Sequence, residues 1–187
     1  MSAAAELAGR VSALTPAGNG AVIVAVDGRP GAGKTTFGAA LAAEMGATHV
    51  DIENLYPGWS GLEEGARMAA EELLAPAAAG RTAVVPQWDW VASRPAEPLV
   101  VEPAEILVVS GTGTGSRAAA PHLAMIAWME LGDDERRRRA LERDGEIFAP
   151  HWEDWARQVE AHLDRECTQG RADVVVDTSG PEPMIAG

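Results

Sequence analysis

Apolar positions along this chain come in blocks more often than in alternation. From Ala21 to Asp27 the run Ala-Val-Ile-Val-Ala-Val-Asp is unbroken and rich in β-branched residues, and it leads into a glycine-rich turn. A strand with one wet face alternates with period two, whereas a strand covered on both faces does not. This run therefore predicts a buried parallel strand. Good helix formers follow from Thr35 to Met45, and Gly46 supplies a stop. Strand, turn and helix in that order make the first half of a βαβ unit.

The same reading extends along the chain. Ala47 to Ile52 predicts a second strand with Asp51 and Glu53 at its carboxyl end, and Tyr56-Pro-Gly-Trp59 a loop that cannot be helical. A helix is expected from Leu62 to Ala79, closed by Gly80. Two short β segments, Thr82 to Val85 and Leu99 to Glu102, flank Gln87-Trp-Asp-Trp90 and are expected to pair. Glu105 to Ser110 and Leu123 to Trp128 predict core strands, separated by a Gly/Thr-rich turn and a short helix. A charged helix over 133 to 143 precedes a longer one over 149 to 167, where Trp152, Trp155, Val159 and Leu163 recur at helical spacing. Asp173 to Val176 is the last expected strand. Residues 1 to 19 read as a short Ala-rich helix covering one edge. The expectation is one α/β domain spanning 1–187, a three-layer fold with a mostly parallel sheet and helices on both faces.

Composition narrows the function. The chain has 187 residues, 47% of them hydrophobic and 23% charged, and no apolar run approaches the ~20 residues that cross a bilayer. No membrane partner is expected. The N-terminal stretch carries no basic segment followed by an apolar one, and Cys167 is the single cysteine, so a cytoplasmic location is expected. A net charge of -13 would repel a phosphate backbone, which argues against nucleic acid as partner. Fourteen of the fifteen basic residues are arginine, and Lys34 is the exception.

Lys34 lies in Gly28-Arg29-Pro30-Gly31-Ala32-Gly33-Lys34-Thr35, which fits G-x-x-x-x-G-K-[ST] at every required position, between a buried strand and a helix. This is the P-loop, and it places the chain among P-loop NTPase folds. Its glycines let backbone N–H groups turn inward toward phosphate oxygens, and the helix N-terminus adds positive potential. Lys34 is expected to bridge the β- and γ-phosphates of ATP, Thr35 to place its hydroxyl on Mg²⁺, and Thr36 to reach the α-phosphate. No guanine-reading N-K-x-D segment exists in a chain whose only lysine is Lys34.

The run Asp27 to Thr36, followed by Glu53-Asn-Leu-Tyr56-Pro-Gly-Trp59, resembles the uridine kinase-like branch of P-loop small-molecule kinases. The resemblance implies transfer of the ATP γ-phosphate to a hydroxyl of a small substrate, a nucleoside or another metabolite. It implies Glu53 as the acid that accepts the hydroxyl proton, although the family residue is usually aspartate. Asp51, two residues earlier and on the same side of the strand, is the alternative. The family pattern also carries an acid before glycine at the end of the strand over 105 to 110, where this chain has Ser110-Gly111. That departure keeps open a nucleotide-binding or NTP-hydrolysing module without kinase activity.

Asp133 to Arg143 begins with acids and continues with bases, the order a helix dipole favours. Arg136, Arg139 and Arg143 fall on one helical face. The segment resembles a kinase lid over 133–148 whose guanidinium groups converge on the polyphosphate. The acceptor is expected between the loop over 53 to 61 and the segment over 87 to 90, at the carboxyl ends of the strands. Tyr56, Trp59, Trp88, Asp89 and Trp90 are the candidate contacts, ring faces with one carboxylate that suit a hydroxylated ring or sugar. Trp152 and Trp155 are expected in the core. His49, His122, His151 and His162 show no metal-ligand spacing. Nothing in the pattern fixes an oligomeric state.

Overall fold

A computed structural model describes residues 1–186, with Asp144 described by its backbone alone. The chain opens with helix α1 (Ala3–Val11), capped by the Ser2 hydroxyl, which accepts from Ala5 N at 3.1 Å. Strand β1 (Val22–Gly28) runs into helix α2 (Lys34–Met45), and Gly46 ends that helix in the left-handed conformation. Strand β2 (Thr48–Asp51) follows, then a 3-10 turn over Glu53–Leu55.

Helix α3 (Leu62–Met68) continues through a π-helical stretch, Ala69–Leu74, into α4 (Ala75–Ala78). Pro76 has no N–H to give and its ring crowds the carbonyl four residues back. The wider π turns relieve that crowding immediately before it.

Strands β3 (Ala83–Asp89) and β4 (Arg94–Val101) form a separate antiparallel hairpin. The expected segments do pair, through Ala83 with Val101 and Val85 with Leu99, and the ladder extends to Asp89 with Arg94. The register shifts between Val85 and Gln87, at Pro86, which has no N–H for the ladder.

The main sheet adds β5 (Ile106–Ser110), β6 (Met125–Glu130), β7 (Val174–Asp177) and β8 (Met184–Ile185) in the order β2-β5-β1-β6-β7-β8. Its pairings are parallel except the last, β7 with β8. The expected fold class is the one observed. β6 starts two residues later than its apolar run suggests because a 3-10 turn, Ala120–His122, takes up the approach. The two-residue β8 lies in a proline-flanked segment too short for a periodic pattern to reveal.

Successive residues of the central strands feed opposite layers. Ile23, Leu107 and Val109 pack in the core shared with α3 and with helix α6 (Trp152–Glu166). Val24, Val26 and Val108 pack on the other side with Leu7 of α1 and Phe37 and Leu41 of α2. Burial on both faces accounts for the unalternating runs. Helix α5 (Asp133–Phe148) runs past the expected end at 143 but breaks at Gly145 (φ 56°, ψ -138°). Because β5 lies between β1 and β2, the carboxyl ends of all three strands open onto one crevice, and there Asp51 sits beside Ser110.

Candidate active site

The turn after β1 is shaped by three glycines at positive φ, Gly28 at 152°, Gly31 at 80° and Gly33 at 88°. At Gly31 space matters as well, since a Cβ there would stand 2.1 Å from the Arg136 carbonyl oxygen. Helix α2 begins at Lys34 with Gly33 as N-cap and no side-chain cap, so the first-turn N–H groups are left for an anion. Lys34 Nζ donates to Arg29 O at 2.8 Å. Burial lowers the Lys34 pKa from its ordinary value to about 8, against the opposing pull of Asp27, Asp51 and Glu53. A half-buried cation beside open N–H donors suits a polyphosphate.

The two acids at the end of β2 divide their contacts. Asp51 accepts from the Thr35 hydroxyl through Oδ2 and from Glu53 N at 2.8 Å through Oδ1. The Ser110 hydroxyl reaches Asp51 at 3.4 Å and lies 3.0 Å from His49 Nε2. Glu53 instead meets Arg143, whose Nη2 donates to Oε1 at 2.9 Å. Thr35 and Asp51 are hard oxygen donors of the kind Mg²⁺ takes. Among the described residues no cluster of three His, Cys, Asp or Glu side chains could complete a metal shell. Phosphate oxygens and water would have to supply the rest, as is usual for Mg²⁺.

Asp27 has a structural role that periodicity alone did not indicate. Its fully buried carboxylate accepts from Gly28 N at 2.7 Å, Gly113 N at 3.0 Å and Gly115 N at 2.8 Å. These bonds tie the start of the phosphate loop to the turn after β5, and the Thr112 hydroxyl adds a bond to Gly28 O at 2.9 Å. Desolvation pushes the Asp27 pKa up, although the three N–H groups pull the other way. The Gly111-to-Gly115 stretch is thus a second wall of the cradle.

The three arginines of α5 divide, Arg139 and Arg143 lining a cavity beside Lys34 and Thr35 and Arg136 lying outside it. Arg136 is 6% exposed and donates to Leu131 O at 3.1 Å and Pro30 O at 3.3 Å, supporting the phosphate loop from behind. Arg139 donates to Glu135 at 2.8 Å and Thr178 O at 3.2 Å. Arg143 alone of the three reaches the acids of the crevice. Arg29, inside the phosphate motif, makes a two-pronged pair with Glu160 of α6 at 2.8 and 3.0 Å and covers the Trp128 ring.

Two cavities meet at Gly31, Lys34, Thr35 and Arg143. One, of about 680 Å³, extends along α2 past Thr36 and Phe37, toward Arg139 and the segment around Pro181. The other, of about 520 Å³, opens past Asp51 and Glu53 into an aromatic end. Trp59 is the hub of that end, with ring centroids 4.6 Å from Trp90, 5.4 Å from Phe148 and 6.3 Å from Trp155. Tyr56 and Trp155 meet edge to face at 5.2 Å.

Trp155 is buried as expected for a core residue, yet it also lines the cavity, as do Ile147 and Phe148. Those two residues come from the bent end of α5 and carry no sequence signal for a site. Asp89 is not in the cavity. Its carboxylate accepts from Val91 N at 3.0 Å and Ala92 N at 2.9 Å and caps the hairpin turn. Trp88 packs near Gly58, outside the cavity lining.

Comparison of the whole chain with solved structures finds the same three-layer α/β fold in several proteins described as kinases. A possible uridine kinase from Bacillus stearothermophilus superposes with a TM-score of 0.62 at 16% identity, over 92% of this chain and 96% of that one. A candidate fructose transport system kinase from Silicibacter sp. TM1040 gives 0.57 at 19% identity, over 92% and 95%. Shikimate kinase from Acinetobacter baumannii, in complex with shikimate, gives 0.50 at 16% identity, over 86% and 85%. At these identities the likeness establishes the fold. No protein-family model matches the sequence, and no curated protein matches it significantly.

Proposed function

We propose that this protein transfers the γ-phosphate of ATP to a hydroxyl of a small molecule. The observation that carries the reading is the junction of two cavities at Lys34 and Thr35, with Asp51 and Glu53 on the acceptor side. The nucleotide would lie along α2, its phosphates held by Lys34 and the N–H groups of the phosphate loop. Thr35 and Asp51 would hold Mg²⁺, which when bound offsets negative charge on the phosphates. Glu53, with Asp51 as the alternative, takes the acceptor's hydroxyl proton. The acceptor oxygen forms its bond to the γ-phosphorus, and the β,γ-bridging P–O bond breaks with its electron pair leaving on ADP. Arg143 stands where it can neutralise charge on the moving group. The lid reading of 133–148 narrows accordingly to Arg139 and Arg143, which both line the cavity along α2.

The alternative is a nucleotide-binding or hydrolysing module. Ser110 supports it, since it brings no charge to the place where the related pattern has an acid. Measuring ATP consumption with Mg²⁺, with and without a panel of alcohols, separates the two. Acceptor-dependent consumption that Lys34→Ala abolishes supports the kinase. Consumption independent of acceptor, or binding without consumption, supports the module.

A further inference from the structure

The acceptor cavity has two chemically distinct ends. Its charged groups, Lys34, Asp51, Glu53 and Arg143, gather around Thr35, and its rings gather around Trp59. At the ring end the polar tips are already engaged with backbone. Tyr56 OH donates to Thr112 O at 2.8 Å and Trp90 Nε1 to Glu53 O at 3.1 Å. The Trp59 carbonyl in turn accepts from Gln158 at 2.7 Å. The carboxylate that sequence spacing placed here, Asp89, caps the hairpin instead. Among the described residues that line the cavity at this end none brings a carboxylate or a side-chain amide; the Gln158 amide and the His151 imidazole, stacked on Trp59 at 4.3 Å, lie outside the lining, so this end offers little to accept a proton from a substrate hydroxyl.

Stripping such a hydroxyl of water without replacing its hydrogen bond is unfavourable. A sugar or nucleoside would bring several to this end, whereas a flat apolar ring would gain ring-to-ring contact at each face. The geometry points to an acceptor alcohol made of an aromatic ring body seated against Trp59, Trp90 and Phe148, with a single hydroxyl directed at Glu53. This rests on the phosphotransfer reading above and adds the acceptor class to it. The volume suits a ring system of one or two fused rings, as small-molecule sites span ~300–1,000 Å³.

The test measures binding and turnover separately, with 2-(naphthalen-2-yl)ethanol, uridine and fructose as probes. Calorimetry with Mg²⁺ and a non-hydrolysable ATP analogue should show the naphthyl alcohol binding at least tenfold tighter than uridine or fructose. Trp59→Ala should weaken that binding tenfold or more, while Trp59→Phe, which keeps a ring and guards against a folding defect, should retain most of it. Tighter binding of uridine or fructose, no heat with the naphthyl alcohol, or indifference to both substitutions overturns the acceptor class. With ATP, phosphomonoester formed on uridine or fructose but not on the naphthyl alcohol overturns the acceptor class and leaves phosphotransfer standing. Ring-selective binding with no phosphomonoester on any probe counts against phosphotransfer and leaves the ring site standing.

Discussion

Lys34 joins burial to function. Its pKa of about 8, depressed by desolvation, means that above pH 8 the unliganded lysine is increasingly neutral. Bound phosphate oxygens restore the charged form, so ATP binding near pH 8.5 is expected to take up a proton. Calorimetry in buffers of differing ionisation enthalpy should detect that uptake, and affinity should fall by up to about tenfold per unit above pH 8. Lys34→Ala should abolish both the uptake and phosphoryl transfer with the fold intact; full activity in that variant would place the active site elsewhere. The sign for stability is opposite to the usual lysine case. The unfolded chain holds the proton more tightly than the folded one, so this residue favours folding more as pH rises from about 8 toward 10.5. Glu53→Gln should cut turnover about 10²-fold or more, as loss of a general base does, with little change in ATP affinity. Unchanged turnover would move the role to Asp51, which already accepts from the Thr35 hydroxyl.

At the scale of elements, the phosphate loop is a product of its neighbours as much as of its glycines. Arg136 braces Pro30 from α5, and Asp27 joins the loop to the turn after β5. The bend in α5 is the other decisive element, because it delivers Ile147 and Phe148 to the cavity beside Glu53. Gly145 has space for a Cβ, but its backbone (φ 56°, ψ -138°) is open to glycine almost alone. Gly145→Ala should cost about 1–3 kcal/mol by that strain, which for a chain this long lowers the melting temperature by roughly 2–12 °C. Asparagine should give no rescue, since ψ lies outside the left-handed basin it tolerates. A melting temperature equal to wild type would show that the bend is not part of the stable fold. The helix periodicity over 133 to 143 is legible in the sequence; the break two residues later is not, because nothing local distinguishes a glycine that bends a helix from one that ends it.

Across the whole molecule, the charge of -13 sets a background of self-repulsion. Raising ionic strength from 0.01 to 0.15 M shortens screening from about 30 to 8 Å, and thermal unfolding should move upward over that range. A downward shift would mean that surface pairs such as Arg67 with Glu71 outweigh the repulsion. The sequence alone determined the architecture and the glycine-rich turn between β1 and α2. Strands buried on both faces lose their alternation, and a loop that must wrap phosphates needs glycine and lysine at fixed offsets, so both leave local marks. The pairing of the hairpin was also readable, from two β-branched segments flanking turn residues. Tertiary structure alone decided which side chains share the site. Arg136, Arg139 and Arg143 sit at equivalent helical spacing, yet one braces a loop, one holds Thr178 O and one meets Glu53. Asp89 and Glu53 are both acids beside a tryptophan-bearing segment, yet one caps a turn and the other lines the cavity with the aromatic end. Spacing along one element fixes a face; what that face meets depends on elements as far as 106 residues away, brought together by burial of the common core.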